Sequence, residues 1–205
     1  MSKRTWWEKT VEYKFVVDAM LKERCDFAAP LAGKHERAGG DTIFGLGTRL
    51  ILVEFKRDLS EVPSEKELFD DYAEATEKLS KYDHHFIVYG EFMFGPPENL
   101  QLVAQHYFSE PNVNYSALDI LDFGVTEANF NKYLAILAKR KKPDGRGKGK
   151  KHVTSLAMSA VIGVSTDGKM IGSVSLHDYS PKLFPSLVLP PPSQQLSSPE
   201  FGARS

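Results

Sequence analysis

The chain has 205 residues, 41% of them hydrophobic and 26% charged, with a formal net charge of −1. This is the composition of an ordinary globular protein of one moderate domain, and no apolar run reaches the ~18 residues a membrane helix needs. The single Cys25 rules out an internal disulfide framework. With an opening segment that lacks an apolar signal region, it leads to the expectation of a reducing, cytoplasmic setting.

Residues 5 to 23 carry Trp7, Val11, Phe15 and Ala19 at helical spacing, joined at the edge by Leu21, and are expected to form the first helix. One of Trp6 and Trp7 is assigned to the core and the other to covering the helix start, with base stacking as a second reading. Residues 25 to 32 read as an opening strand. The loop that follows carries Lys34 and Arg37, candidates for touching a substrate phosphate, just before Gly39-Gly40-Asp41. A glycine-bearing turn at Gly45 and Gly47 then leads into a strand from Arg49 to Lys56. On that strand Leu50, Leu52, Glu54 and Lys56 share one face, and Ile51, Val53 and Phe55 the other. Both faces are apolar until the end, as expected of a central strand covered on both sides. A hairpin through the turn would set Asp41 beside Glu54 and Lys56.

Ser64-Glu65-Lys66-Glu67 reads as a capping box opening a helix over 65 to 81, with Leu68, Tyr72, Ala75, Thr76 and Leu79 as its stripe. The segment His84 to Phe94 reads as a strand, so strand, helix and strand suggest a right-handed parallel unit. His84 and His85 follow Asp83, but neighbours on a strand point oppositely and chelate one ion poorly. Residues 98 to 108 are expected to form a short helix, and Thr126 to Ala138 another, with Phe130, Tyr133, Leu134 and Leu137 on its stripe. Residues 139 to 151 hold eight of the 26 basic residues and one of the 27 acidic ones, which leaves a balance of −8 elsewhere. Lys139, Arg140, Lys141, Lys142, Arg146, Lys148, Lys150 and Lys151 are therefore candidates for binding a phosphate backbone, with a solvated linker as the plainer reading. Asp167-Gly168 marks a hairpin between apolar residues 153 to 164 and 169 to 176. From Ser180 onward prolines accumulate, so the tail is expected to be disordered or extended and to offer apolar residues to a protein partner. The organisation is a core over 1–138, a basic segment over 139–152, a hairpin over 153–179 and a tail over 180–205.

Two carboxylates and an ammonium meeting at a strand end are costly unless a cation or an anionic substrate joins them. Mg²⁺ meets that need and Mn²⁺ substitutes for it, since such ions take carboxylate oxygens and keep water and phosphate oxygens for the rest of their shell. The pattern Gly-Gly-Asp41 followed by Val53-Glu54-Phe55-Lys56 resembles the PD-(D/E)xK nuclease superfamily, over roughly residues 5 to 95. The resemblance implies an α/β restriction-endonuclease-like core, a mixed central β-sheet flanked by helices. It implies Asp41 and Glu54 as metal ligands, Phe55 as a ligand through its carbonyl and Lys56 as the catalytic lysine. It also implies a metal-facing glutamate on the first helix, Glu12, with Glu8 one turn earlier as substitute. Gly40 stands where many members have Pro. The function so implied is metal-dependent hydrolysis of nucleic acid, DNA before RNA, in restriction, repair or defence, with a homodimer suited to cutting two strands. The competing reading is an inactive nuclease-like adaptor that binds nucleic acid or protein.

Overall fold

A computed structural model of the chain describes residues 6–25, 44, 47–93, 99–108, 113–142, 156 and 159–185. The strand expected over 25–32 is described only at Cys25, and the tail beyond 185, Lys34, Arg37, Asp41, Arg146, Lys148, Lys150 and Lys151 lie outside the described residues.

The centre of the fold is β1 (Arg49–Lys56), whose apolar run suits a strand covered on both sides. It runs parallel to β2 (His85–Met93), with Leu52 opposite His85 and Lys56 opposite Tyr89. Beyond β2 lie β3 (Asn99–His106) and the short β4 (Tyr115–Ser116), each antiparallel to its neighbour. On the other flank β5 (Ala160–Val164) pairs antiparallel with β1, and β6 (Met170–Ser175) folds back on β5. The result is an α/β protein with a mixed six-stranded sheet in the order β4-β3-β2-β1-β5-β6.

Helices cover both faces. Helix α1 (Glu8–Leu21) buries Val11, Phe15 and Ala19 in a cluster with Ile51, Val53, Phe86 and Val88. On the opposite face α2 (Tyr72–Leu79), α3 (Glu127–Arg140) and a 3-10 helix (Leu59–Leu68) close over Leu50, Leu52, Ile87 and Tyr89. Each fully buried Leu, Ile or Phe contributes about 1.5–3 kcal/mol, so the two clusters supply most of the driving force. A second 3-10 helix spans Ala117–Phe123, and the one-turn α4 spans Leu176–Tyr179. No described helix is long and apolar enough to cross a membrane.

Three expectations are corrected. The segment expected as a helix over 98–108 forms β3 at Asn99–His106, because the open edge of β2 takes up its backbone groups and pairing overrides local propensity. The helix expected over 65–81 is split. Ser64 bonds back to the Glu61 carbonyl at 2.6 Å instead of capping a helix, and α2 starts after Asp71, whose side chain accepts from Glu74 N–H at 2.9 Å. Leu21 lies exposed with Tyr13, Val17 and Met20 on the outer side of α1, off the buried stripe. The late hairpin joins the sheet at β1, and its turn needs Gly168, which sits at φ 78.

His84 and His85 are buried among Tyr82, Phe130, Tyr133, Tyr107 and Phe108. Neither His84 nitrogen nor His85 Nε2 has a hydrogen-bond partner among the described residues. Burial lowers the His84 pKa from 6.5 to about 4, and burial followed by the nearby His84 and His106 pushes His85 well down. The folded protein therefore holds both rings neutral, while the unfolded chain takes up protons below pH 6.5. Stability from these residues is complete above that pH and is lost as the pH falls toward 4. The stability of His84→Phe relative to wild type, from urea midpoints, should improve between about pH 7.5 and pH 5, and a difference that does not change with pH would show that the folded state accommodates the charge on His84.

Candidate functional site

Alternation along β1 sends Glu54 and Lys56 to the same face as Leu50 and Leu52. They reach the carboxyl end of the strand just as its apolar run stops. The chain then turns sharply. Asp58 accepts from Ser60 N–H at 2.9 Å, and Arg57 reaches Glu61 with its backbone N–H at 3.1 Å and its guanidinium at 2.9 Å. These contacts start the 3-10 helix and lay it back across the strand end. With three residues per turn, Val62, Glu65 and Leu68 fall on one line. Val62 and Leu68 pack on the core, so Glu65 between them must point inward.

The inward Glu65 meets Lys56. Lys56 Nζ lies 2.5 Å from Glu65 Oε1 and 3.2 Å from Glu54 Oε1, and the lysine side chain is 1% exposed. The remaining carboxylate oxygens are also engaged. Tyr107 donates to Glu65 Oε2 at 2.6 Å, and Ser159, just before β5, donates to Glu54 Oε2. Behind them His85 stacks on Tyr107 with ring centroids 4.0 Å apart, and its Nδ1 meets the Tyr133 hydroxyl at 2.5 Å. Glu8, at the start of α1, brings Oε1 to 4.0 Å from Lys56 Nζ.

The electrostatics follow from burial and crowding. Desolvation, then the charge of Glu65, raises the Glu54 carboxyl to about 7, although Lys56 and Ser159 pull it back. Burial acts to lower Lys56, but the charges of Glu54 and Glu65 outweigh it and hold the ammonium above its usual range. Tyr107 stays a neutral phenol and a fixed donor, its pKa pushed well up by burial and then by Glu65.

The structure places the expected site residues unevenly. It brings Glu54 and Lys56 together, with Phe55 between them packing its ring on Phe15 at 5.6 Å. Glu12 is turned to Lys9 at 2.6 Å, and Glu8 is the α1 glutamate nearest Lys56. The reason is geometric: α1 lies on the other face of the sheet, so only its first turn can reach around the strand end. Asp41 lies outside the described residues. The flank of β1 where a hairpin would seat its strand is occupied by β5 across Arg49–Val53. Of the basic stretch, Arg140 pairs with Glu74, Lys142 Nζ bonds the Glu67 carbonyl at 2.9 Å, and Lys142 N–H bonds the Leu68 carbonyl at 2.8 Å. Lys141 forms a bridge to Phe69, and Lys139 is exposed on α3. The basic stretch thus starts beside the 3-10 helix that bears Glu65. Sequence reasoning missed Glu65, Tyr107 and Ser159, and the only signal for Glu65 was its three-residue spacing from Val62 and Leu68.

For a divalent ion, the donor set is suitable in type. The carboxylates of Glu54 and Glu65 meet at Lys56, with Glu8 at 4.0 Å, and hard oxygens suit Mg²⁺. Among the described residues no three acidic, His or Cys side chains are arranged to hold one ion, so Glu54 would need a donor such as Asp41 to complete the set. Compared with family models, curated proteins and solved structures, the chain matches none.

Because Glu54 titrates near 7 when folded and 4.5 when unfolded, the folded state retains a proton the unfolded chain has released between those values. Its contribution to stability is therefore present below pH 4.5 and lost as the pH rises through about 7. This opposes the trend set by the histidines, so a difference isolates it. The stability of Glu54→Gln relative to wild type should improve between about pH 5 and pH 8, by on the order of 1–3 kcal/mol in urea titrations. Equal differences at the two pH values would show that Glu54 is ionised throughout.

Proposed function

We propose that the chain is a metal-dependent nuclease with a restriction-endonuclease-like core. The convergence of Glu54, Lys56 and Glu65 at the carboxyl end of a central strand carries this reading. Open α/β sheets take their ligands outside those strand ends. Glu54, Asp41 and the Phe55 carbonyl would hold Mg²⁺ or Mn²⁺, which when bound supplies Lewis-acid activation of water and neutralises phosphate charge. Lys56, kept protonated by its two glutamates, acts as a fixed cation and hydrogen-bond donor rather than as a base. Glu65, seated by Tyr107, positions that ammonium. The basic stretch, anchored at Leu68, holds the nucleic-acid backbone, and a homodimer would present two such sites to a duplex.

One observation favours a second reading. Lys56 is almost wholly enclosed and every oxygen of Glu54 and Glu65 is engaged, which suits a nuclease-like scaffold that binds without cutting.

Plasmid, linear duplex, single-stranded DNA and RNA incubated with Mg²⁺, Mn²⁺ or EDTA separate the two. Metal-dependent cutting should fall on the order of 100-fold or more in Glu54→Gln and Lys56→Met, with thermal melts confirming that each variant is folded. Calorimetric Mn²⁺ binding should weaken in Glu54→Gln. Salt-sensitive binding without cutting would select the scaffold. Neutralising Lys139, Lys141 and Lys142 should flatten the salt dependence of DNA binding measured by anisotropy, and an unchanged slope would remove this stretch from the interface.

A further inference from the structure

The chain has two tryptophans, adjacent in sequence and opposite in environment. Trp6 is tied down: its indole N–H donates to the Arg57 carbonyl at 2.6 Å, and its ring lies on Phe92 with centroids 6.1 Å apart and planes at 25°. Glu8, on the other side of Trp7, reaches Lys56 Nζ at 4.0 Å. Both neighbours of Trp7 therefore lie at the end of β1, near Lys56 and the residue after it. Trp7 itself is extended, at φ −109 and ψ 161. It is 72% exposed.

Among the described residues nothing local explains an indole at this position. Trp7 is the residue that caps α1, where Ser, Thr, Asp or Asn is favoured because a side-chain oxygen accepts a backbone N–H. Indole has no such acceptor. Thr10 compensates, its hydroxyl oxygen accepting from Trp7 N–H at 3.3 Å, while Thr10 N–H donates to the Trp7 carbonyl at 2.8 Å. The ring neither caps the helix nor enters the core. It is a large flat apolar surface on the residue after the tied-down Trp6, one residue from a glutamate that faces the candidate catalytic lysine. Such a ring binds a nucleobase at little entropic cost, because few torsions remain to be frozen. A base inside a duplex has both faces covered by its neighbours, so only an unpaired base can use it.

We propose that Trp7 is a base-stacking residue and that the nucleic acid presented to the Lys56 site is single-stranded or carries an unpaired end. This rests on the nuclease reading and adds a substrate class to it. Duplex interiors would be poor substrates, and overhangs, splayed ends and single strands good ones.

The test uses binding in EDTA, so it does not depend on turnover. A short oligothymidylate should quench the fluorescence of Trp6→Phe protein, in which Trp7 is the remaining indole, and leave Trp7→Phe protein nearly unchanged. Trp7→Ala should weaken oligothymidylate binding by about 5- to 100-fold in anisotropy titrations. It should weaken binding of a blunt duplex of equal length by less than about twofold. Should Trp6→Phe fail to fold, the Trp7→Ala titrations with the two DNAs decide alone. Oligothymidylate binding that is unaffected by Trp7→Ala overturns the stacking role and leaves the nuclease reading standing. Equal quenching by heparin, which has charge and no bases, also overturns it. Absence of binding to any nucleic acid overturns the stacking role and the nuclease reading together.

Discussion

An ammonium enclosed between two carboxylates is the constraint on which the rest of this structure depends. Lys56 is 1% exposed, and burying it costs several kcal/mol unless its partners are close and are themselves hydrogen-bonded. Both conditions are met, through contacts of 2.5 and 3.2 Å and through donors from Tyr107 and Ser159. Meeting them requires the 3-10 helix to cross the end of β1, Tyr107 to follow directly on β3, and β5 to arrive on the far flank with Ser159. The cluster thus ties together pieces of chain that have no local reason to meet.

The same constraint gives the site its chemical character. Lys56 is charged at any ordinary pH and Glu54 titrates near neutrality, so a single small region holds a permanent cation and a carboxylate that changes state around pH 7. Glu8 stands at its edge, 48% exposed. The aromatic layer behind it, His85 on Tyr107 and Tyr133, is apolar enough to keep water from loosening the triad.

The two faces of the sheet divide the labour. Helix α1 packs on the face away from Glu54 and Lys56, and contributes to the site only at its first turn, through Glu8 and the fixed Trp6 just before it. That geometry separates Glu8 from Glu12, which share a helix but differ by one turn in reach. The other face carries the buried polar layer and the start of the basic stretch at Lys139 to Lys142. The candidate site and the charged stretch are therefore on one side of the molecule's central layer.

The features legible in the chain alone are those that depend on short-range periodicity. Val11, Phe15 and Ala19 mark α1, Phe130 to Leu137 mark α3, the two-faced apolar run marks β1 as central, and Asp167-Gly168 marks the last turn. The shared face of Glu54 and Lys56 follows from strand alternation alone. The features that needed the folded molecule are those that depend on who sits beside whom. Residues 99–106 became a strand because β2 offered an open edge. The seat beside β1 went to β5, which lies far away in the chain. Glu65 turned inward because a 3-10 period, not an α-helical one, follows the turn at Asp58. Periodicity is written in neighbouring residues, whereas pairing partners and buried ion pairs are selected by the free energy of the whole packed chain, which no local spacing records.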